Sequence, residues 1–327
     1  MRVAVPERGD ELINRDILIH RVIARLNIGG PAMHVVLLTR EFEGRPVPDV
    51  GGAEFAQSDA GSDPGAGGSS DAAAFHARLV AGSVMESEGD MSYFAEERGV
   101  EVTRLEEMSR EVSLVDDLRS FVELWRLFRR ERPDIVHTHT AKAGALGRLA
   151  AALAGVPVRI HTYHGHVLGG DYFSPQETAF FRGVEKALSV LTQRLIVLTS
   201  AQREEMSARM AVADAEKFAV VPLGLELEPY AVAGIAGGDA EADPGGGTAA
   251  NDEAEAEKAL AETRASARST LDLDPDDLVV GIVGRLVPIK NHELLFDAVP
   301  RLLERLKGAP TLRVLVVGSG EREEALK

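Results

Sequence analysis

The chain contains no cysteine, which excludes a disulfide framework, a thiolate-held metal and a cysteine nucleophile together. Basic residues are few: Lys and Arg number 36 against 52 Asp and Glu. The resulting net charge of −16 repels the phosphates that a nucleic-acid partner would bring, so no nucleic acid is expected. No run approaches the roughly 18 consecutive apolar residues of a membrane-spanning helix. The first turns of sequence, MRVAVPERGDELINR, mix charges, proline and glycine and lack the apolar core of a signal peptide. These absences lead to the expectation of a cytoplasmic protein, at most peripheral at the inner face of a membrane.

What is present suffices for two domains, since 327 residues at 45% hydrophobic content allow each half its own core. Two stretches, 51–74 and 231–262, are rich in Gly, Ala, Ser and Asp and bury too little to order themselves. They read as flexible insertions in loops, the second at the junction of two domains. Elsewhere strand, turn and helix alternate, beginning with ILIHRVIA, ARLVAGSV, VEVTRL, DIVHTH, VRIHTYH and RLIVLTS. That order predicts an α/β chain with a parallel, doubly wound sheet. Over 118–130 the periodicity predicts a helix with Leu118, Phe121, Val122, Trp125 and Phe128 on one face and arginines on the other. Placing Trp125 and Phe128 on the sheet side favours a solvated arginine face over contact with an anionic membrane. Ser174-Pro175-Gln176-Glu177 has the spacing of a capping box and predicts a helix start. LVVGIVGRL and LRVLVVG restart the strand pattern, but two strands fall short of the about five or six of a doubly wound unit. The expected division is 1–224, a linker over 225–270, and an incomplete C-terminal domain over 271–327.

In such sheets, ligands bind at the carboxyl ends of the strands, and four polar clusters fall there. Gly29 and Gly30, followed by Pro31, form a turn whose backbone amides could approach phosphate or sugar oxygens or could simply be a βα turn. It lacks the G-x-G-x-x-G of a nicotinamide site. His137-Thr138-His139 with Lys142, and His161-Thr162-Tyr163-His164-Gly165-His166, gather imidazoles suited to hydrogen-bonding hydroxyls. His137 and His161 lie within apolar runs and read as core residues. The spacing fits no zinc pattern, and Asp272-Leu273-Asp274 precedes its strand, so neither metal nor cofactor is expected. Arg285 and Lys290, leading to a helix capped by Asn291, read as a diphosphate clamp or else a solvated loop.

The segments IARLNIGGPAMHVVLLTR, DIVHTHTAKAGALGRLAA, HTYHGHV, VVPLGLE and GRLVPIKN, in this order, resemble family 4 of the retaining glycosyltransferases, also called group 1. The resemblance spans 17–320 apart from the two insertions. It implies the GT-B fold of two Rossmann-like domains, with the first on the acceptor side and the second binding a nucleotide sugar. By the same resemblance His164 is catalytic beside the transferred sugar. Gly29, Gly30, Arg285 and Lys290 hold the donor diphosphate, and His139, Lys142 and His166 border the acceptor, a glycan or a lipid-linked molecule. The implied activity is transfer of a sugar from a nucleotide diphosphate to an acceptor hydroxyl with retention; a non-catalytic sugar-binding module and a sugar-nucleotide epimerase are the alternatives. Family members carry two glutamates, with seven residues between them, late in the second domain. The chain ends before that point, so nucleobase recognition is also missing and the chain alone is expected to be inactive.

Overall fold

The computed structural model describes residues 15–48, 73–85, 89–109, 113–165, 174–226, 249–307 and 310–327, with backbone only over 249–257. Contacts divide the chain into two units, Met1–Leu225 and Glu226–Lys327.

In the first unit the apolar runs form β1 (Ile17–Ile23), β2 (Phe75–Gly82), β3 (Val102–Leu105), β4 (Ile135–His139), β5 (Val158–Thr162), β6 (Arg194–Val197) and β7 (Phe218–Val220). They pair in parallel in the order β3-β2-β1-β4-β5-β6-β7. This is the doubly wound α/β arrangement the sequence predicts; β7, only three residues long, carries too short a run to be read in advance. The intervening helices are α1 (Gly30–Phe42), α2 (Ser92–Glu97), α3 (Leu114–Glu131), α4 (Ala141–Ala154), α5 (Pro175–Val190) and α6 (Ser200–Glu204). Alternation along β1 explains the layering. Val22 and Ala24 join the core with Leu124, Phe128, Ala143 and Ala150 of α3 and α4. Ile23 joins another with Val35, Val36 and Ala95 of α1 and α2.

Helix ends follow local chemistry. The capping box at Ser174 forms as predicted: its hydroxyl accepts from Glu177 N at 3.3 Å and the Glu177 carboxylate accepts from Ser174 N at 2.8 Å. Ser113 caps α3, and the helix ends at Arg132 in left-handed backbone, φ 49°.

Two expectations need correction. On α3 the inward residues are Ser120, Leu124, Leu127 and Phe128, whereas Leu118 is 62% exposed and Trp125 37%. The helix carries two neighbouring apolar stripes, and periodicity alone does not say which one meets the sheet. Within the second low-complexity stretch, Ala249–Thr270 forms α7 rather than loop. Its alanines, glutamates, lysine and arginines are strong helix formers, and nearly all of its described side chains, from Lys258 on, are exposed. The first stretch, 51–74, lies outside the described residues except for its last two.

The second unit contains β8 (Leu278–Val283) and β9 (Leu312–Val317), a parallel pair in continuous register, with α8 (His292–Leu306) and the short α9 (Glu323–Leu326). Asp277 joins its parts: its carboxylate accepts from Asp274 N at 3.0 Å and from Arg313 Nε at 3.1 Å.

Candidate functional site

Strand order places the carboxyl ends of β1 and β4 side by side while their chains continue in opposite directions, which opens a crevice between the starts of α1 and α4. The two turns touch there, with Ala24 N donating to Thr140 Oγ1 at 3.4 Å. Gly29 is the residue before α1 and Pro31 lies in the first turn; a Cβ at Gly30 would meet nothing within 4 Å, so the space beside that backbone is open. Thr140, before α4, holds φ 66°, an uncommon conformation for a side chain branched at Cβ.

Four histidines gather below this crevice. Register sets His137 beside Ile160 and His139 beside Thr162, and His137 Nε2 bonds Thr162 Oγ1 at 2.7 Å. His139 Nδ1 and His164 Nε2 lie 2.9 Å apart in a hydrogen bond. His34, from the first turns of α1, sets its ring edge-on to His164 at 5.4 Å and to His139 at 6.0 Å. The His34 contribution was missed in the sequence; a histidine one turn beyond a Gly-Gly-Pro helix start is the signal that could have found it. Among the described residues no three His, Asp or Glu side chains converge so as to hold a metal ion.

Burial keeps this cluster neutral. It pushes His164 down to about 4 and His137 and His139 well below the usual imidazole range, with neighbouring histidines adding to the effect. His34 is lowered by burial and then by Arg21. Arg21 is itself 2% exposed, its Nε and Nη1 without hydrogen-bond partners among the described residues, and its guanidinium lies 4.7 Å from the Phe42 ring centre. The buried atoms His139 Nε2 and His164 Nδ1 also lack partners there.

His137 and His161 are buried and hydrogen-bonded, as core residues should be; His161 Nδ1 bonds Thr138 Oγ1 at 2.9 Å. Lys142, in the first turn of α4, forms an ion pair with Asp117 of α3. His166 lies outside the described residues.

The neutral histidines carry a pH dependence. His20, buried against Phe128 and Glu131, is also pushed down to about 4. A folded-state pKa below the unfolded value means the unfolded chain binds more protons as pH falls, so this stability is complete above about 6.5 and is lost toward 4. At about pH 5, His20 and His164 should each cost about 2 kcal/mol. His76, half-exposed between Glu43 and Asp16, is shifted upward and offsets a small part. Thermal melts should therefore show a clear loss from pH 7 to 5, and a flat profile would contradict neutral burial.

In the second unit Arg285 and Lys290 share the loop after β8, and a Cβ at Gly284 would lie 3.7 Å from the Lys290 side chain. The Asn291 side chain makes no cap, contrary to expectation; Asn291 occupies left-handed backbone, φ 48°, between the 3-10 turn Pro288–Lys290 and α8. Asparagine tolerates that conformation better than most residues. The loop is held by Gly318 and Gly320, which the sequence reading passed over. A Cβ at Gly318 would stand 1.9 Å from Gly284 O, and Leu286 N donates to Ser319 O at 2.8 Å, so only glycine lets the two loops meet.

Residues 33–224, well over half of the chain, match the glycosyl transferase 4-like domain. The UDP-Gal:alpha-D-GlcNAc-diphosphoundecaprenol alpha-1,3-galactosyltransferase of Escherichia coli is 34% identical over 220 residues, which is 67% of this chain and 49% of that protein. The D-inositol 3-phosphate glycosyltransferase of Actinosynnema mirum is 31% identical over 191 residues, 57% of this chain and 38% of that protein. The chain thus spans half or less of the length of these relatives. Among solved structures, a glycosyltransferase from Rickettsia africae aligns with TM-score 0.51 at 11% identity, covering 93% of this chain and 69% of the other. The UDP-GlcNAc 2-epimerase of Neisseria meningitidis aligns with TM-score 0.50 at 13% identity, covering 92% and 65%. Likeness at that identity shows a common GT-B-like fold and does not choose between transfer and epimerisation. The sequence match makes that choice at the level of family: the chain belongs to the glycosyl transferase 4-like, or group 1 glycosyltransferase, family.

Proposed function

We propose that the chain carries the acceptor-side unit and the diphosphate-binding loop of a retaining glycosyltransferase that moves a sugar from a nucleotide diphosphate to an acceptor hydroxyl. The observation that carries this reading is the neutral, hydrogen-bonded His139–His164 pair at the strand-end crevice of a chain in this family. Neutral imidazoles bond hydroxyls without placing a competing charge beside a sugar whose anomeric carbon becomes cationic in transfer. Gly30 leaves open space at the start of α1, where the Gly29 and Gly30 backbone would meet donor oxygens, and this reading assigns His139, Lys142 and His166 to the acceptor. The names of the sequence relatives point to a UDP-linked donor and to an acceptor bearing phosphate, a lipid diphosphate or a phosphorylated polyol.

In the proposed step the bond from the anomeric carbon to the diphosphate oxygen breaks. The acceptor oxygen then attacks the same face of the sugar and passes its proton to the departing diphosphate. Arg285 offers a fork to phosphate oxygens and Lys290 a point charge, which together stabilise the leaving group. In a version joined to a complete nucleotide-sugar-binding domain, removing either by Arg285→Ala or Lys290→Ala should lower kcat/KM by about thirtyfold to a thousandfold, or 2–4 kcal/mol. Wild-type kcat/KM in either variant would reject the clamp.

Because these side chains supply positive charge, transfer should persist after EDTA treatment. Complete loss restored by manganese would show that a metal does the work instead. The reading as a whole is tested by incubating that completed version with a panel of nucleotide sugars and lipid-diphosphate or phosphorylated polyol acceptors, with product anomers assigned by NMR. A product of inverted configuration would overturn retention. Altered stereochemistry of the free sugar nucleotide, without transfer, would favour the epimerase reading.

A further inference from the structure

The outward face of α3 exposes several large apolar side chains together. Leu114, Val115, Leu118 and Trp125 are 87%, 60%, 62% and 37% exposed. Spacings of three, four and seven residues place them on one side of the helix. Arg119, Arg126, Arg129 and Arg130 are exposed along the same side; of the acids, Glu123 is exposed at its edge, and Asp116, Asp117 and Glu131 are partly buried. Arg119 and Arg130 are engaged, with Asp116 at 3.5 Å and Glu131 at 2.8 Å. Arg126 and Arg129 have no ion-pair partner among the described residues. An apolar stripe edged by four arginines and one exposed glutamate, on a chain whose net charge is −16, is a local reversal of charge sign.

We propose that this face of α3 docks on an anionic lipid surface, with Leu114, Val115, Leu118 and Trp125 at the acyl boundary and Arg126 and Arg129 on the headgroups. Charge decides among occupants. Two copies meeting through this face about a two-fold axis would bring arginines against arginines. An anionic headgroup layer complements them, and indole suits an interface that is apolar at one end and wet at the other. Since no helix among the described residues is long and apolar enough to cross a membrane, contact of this kind is with the surface. The inference goes beyond the transferase reading and does not depend on it.

Trp125 is the only tryptophan in the chain, so its fluorescence reports this face directly in the unaltered protein. With vesicles of phosphatidylcholine and phosphatidylglycerol the emission should shift to the blue. It should be quenched by acyl-chain bromine and recover as salt screens the headgroups; pure phosphatidylcholine should bind far less. Arg126→Gln with Arg129→Gln should weaken partitioning about twenty-five-fold, taking about 1 kcal/mol, or fivefold, per arginine. Leu118→Ser should weaken it while leaving the melting temperature unchanged, because the side chain is exposed. Unchanged emission in the presence of phosphatidylglycerol vesicles, or equal partitioning of the arginine variant, would overturn the proposal. So would a concentration-dependent dimer that shifts Trp125 emission without lipid, which would assign the face to a second copy.

Discussion

Glu185→Ala is expected to cost the fold about 3–5 kcal/mol, a large share of the 5–15 kcal/mol typical of a domain. Arg148 is completely buried on α4, and its Nη2 donates to both Glu185 carboxylate oxygens of α5 at 2.9 Å. Tyr163, at the end of β5, donates its hydroxyl to the same carboxylate at 2.6 Å, and Arg148 Nε donates to Gly144 O at 2.7 Å. Loss of the carboxylate strands a buried guanidinium and a buried phenol, so the cost is that of orphaned polar groups rather than of one contact. Replacing both members, Arg148→Met with Glu185→Leu, removes the charge along with its partner and should recover most of the loss. Urea unfolding of the three proteins decides the matter: a single variant within about 1 kcal/mol of wild type would contradict a dry, paired network.

In a version joined to a complete nucleotide-sugar-binding domain, His164→Ala should reduce transfer by about a hundredfold or more, in the range found for a positioned proton donor or acceptor. Read from sequence alone, His164 projects freely from a strand end, and its removal leaves stability nearly unchanged. The structure alters the second half of that expectation. His164 bonds His139, which is fully buried, so its loss should also cost about 1–2 kcal/mol. His161→Ala provides the contrast. Its ring bonds Thr138, stands edge-on to Tyr163 at 4.6 Å and packs where a Cβ on Gly144 would come within 2.4 Å of its Cε1. It should lose stability to a similar or larger degree and keep most of its kcat/KM, measured well below both melting temperatures. Equal loss of transfer in the two variants would remove the special role from His164.

The strands were legible because parallel, doubly buried strands are continuous apolar runs, and the polar positions that interrupt DIVHTH and VRIHTYH include three of the four clustered histidines. Strand register could have placed His139 near Thr162, but not His34, whose approach depends on how α1 lies across the sheet. Arg148 and Glu185 gave no warning, since a lone charge in an alanine-rich helix reads as solvated. On α3 the same blindness ran the other way: periodicity puts Trp125 on one apolar stripe, while the neighbouring stripe with Leu124 and Leu127 meets the sheet. The Gly318–Gly320 contact was invisible because it depends on two strand ends meeting.

The bond between His139 and His164 ties their protonation patterns together. A neutral imidazole carries one proton on either nitrogen, but Nδ1 of one ring facing Nε2 of the other leaves room for one proton between them. The pair is therefore a two-state element: when His164 Nδ1 is a donor, His139 Nε2 is an acceptor, and each must change with the other. A hydroxyl that accepts at His164 and one that donates there select opposite states, and that selection is written at the same moment into the buried end of His139. Whatever group meets His139 thereby responds to the orientation of a hydroxyl it never touches.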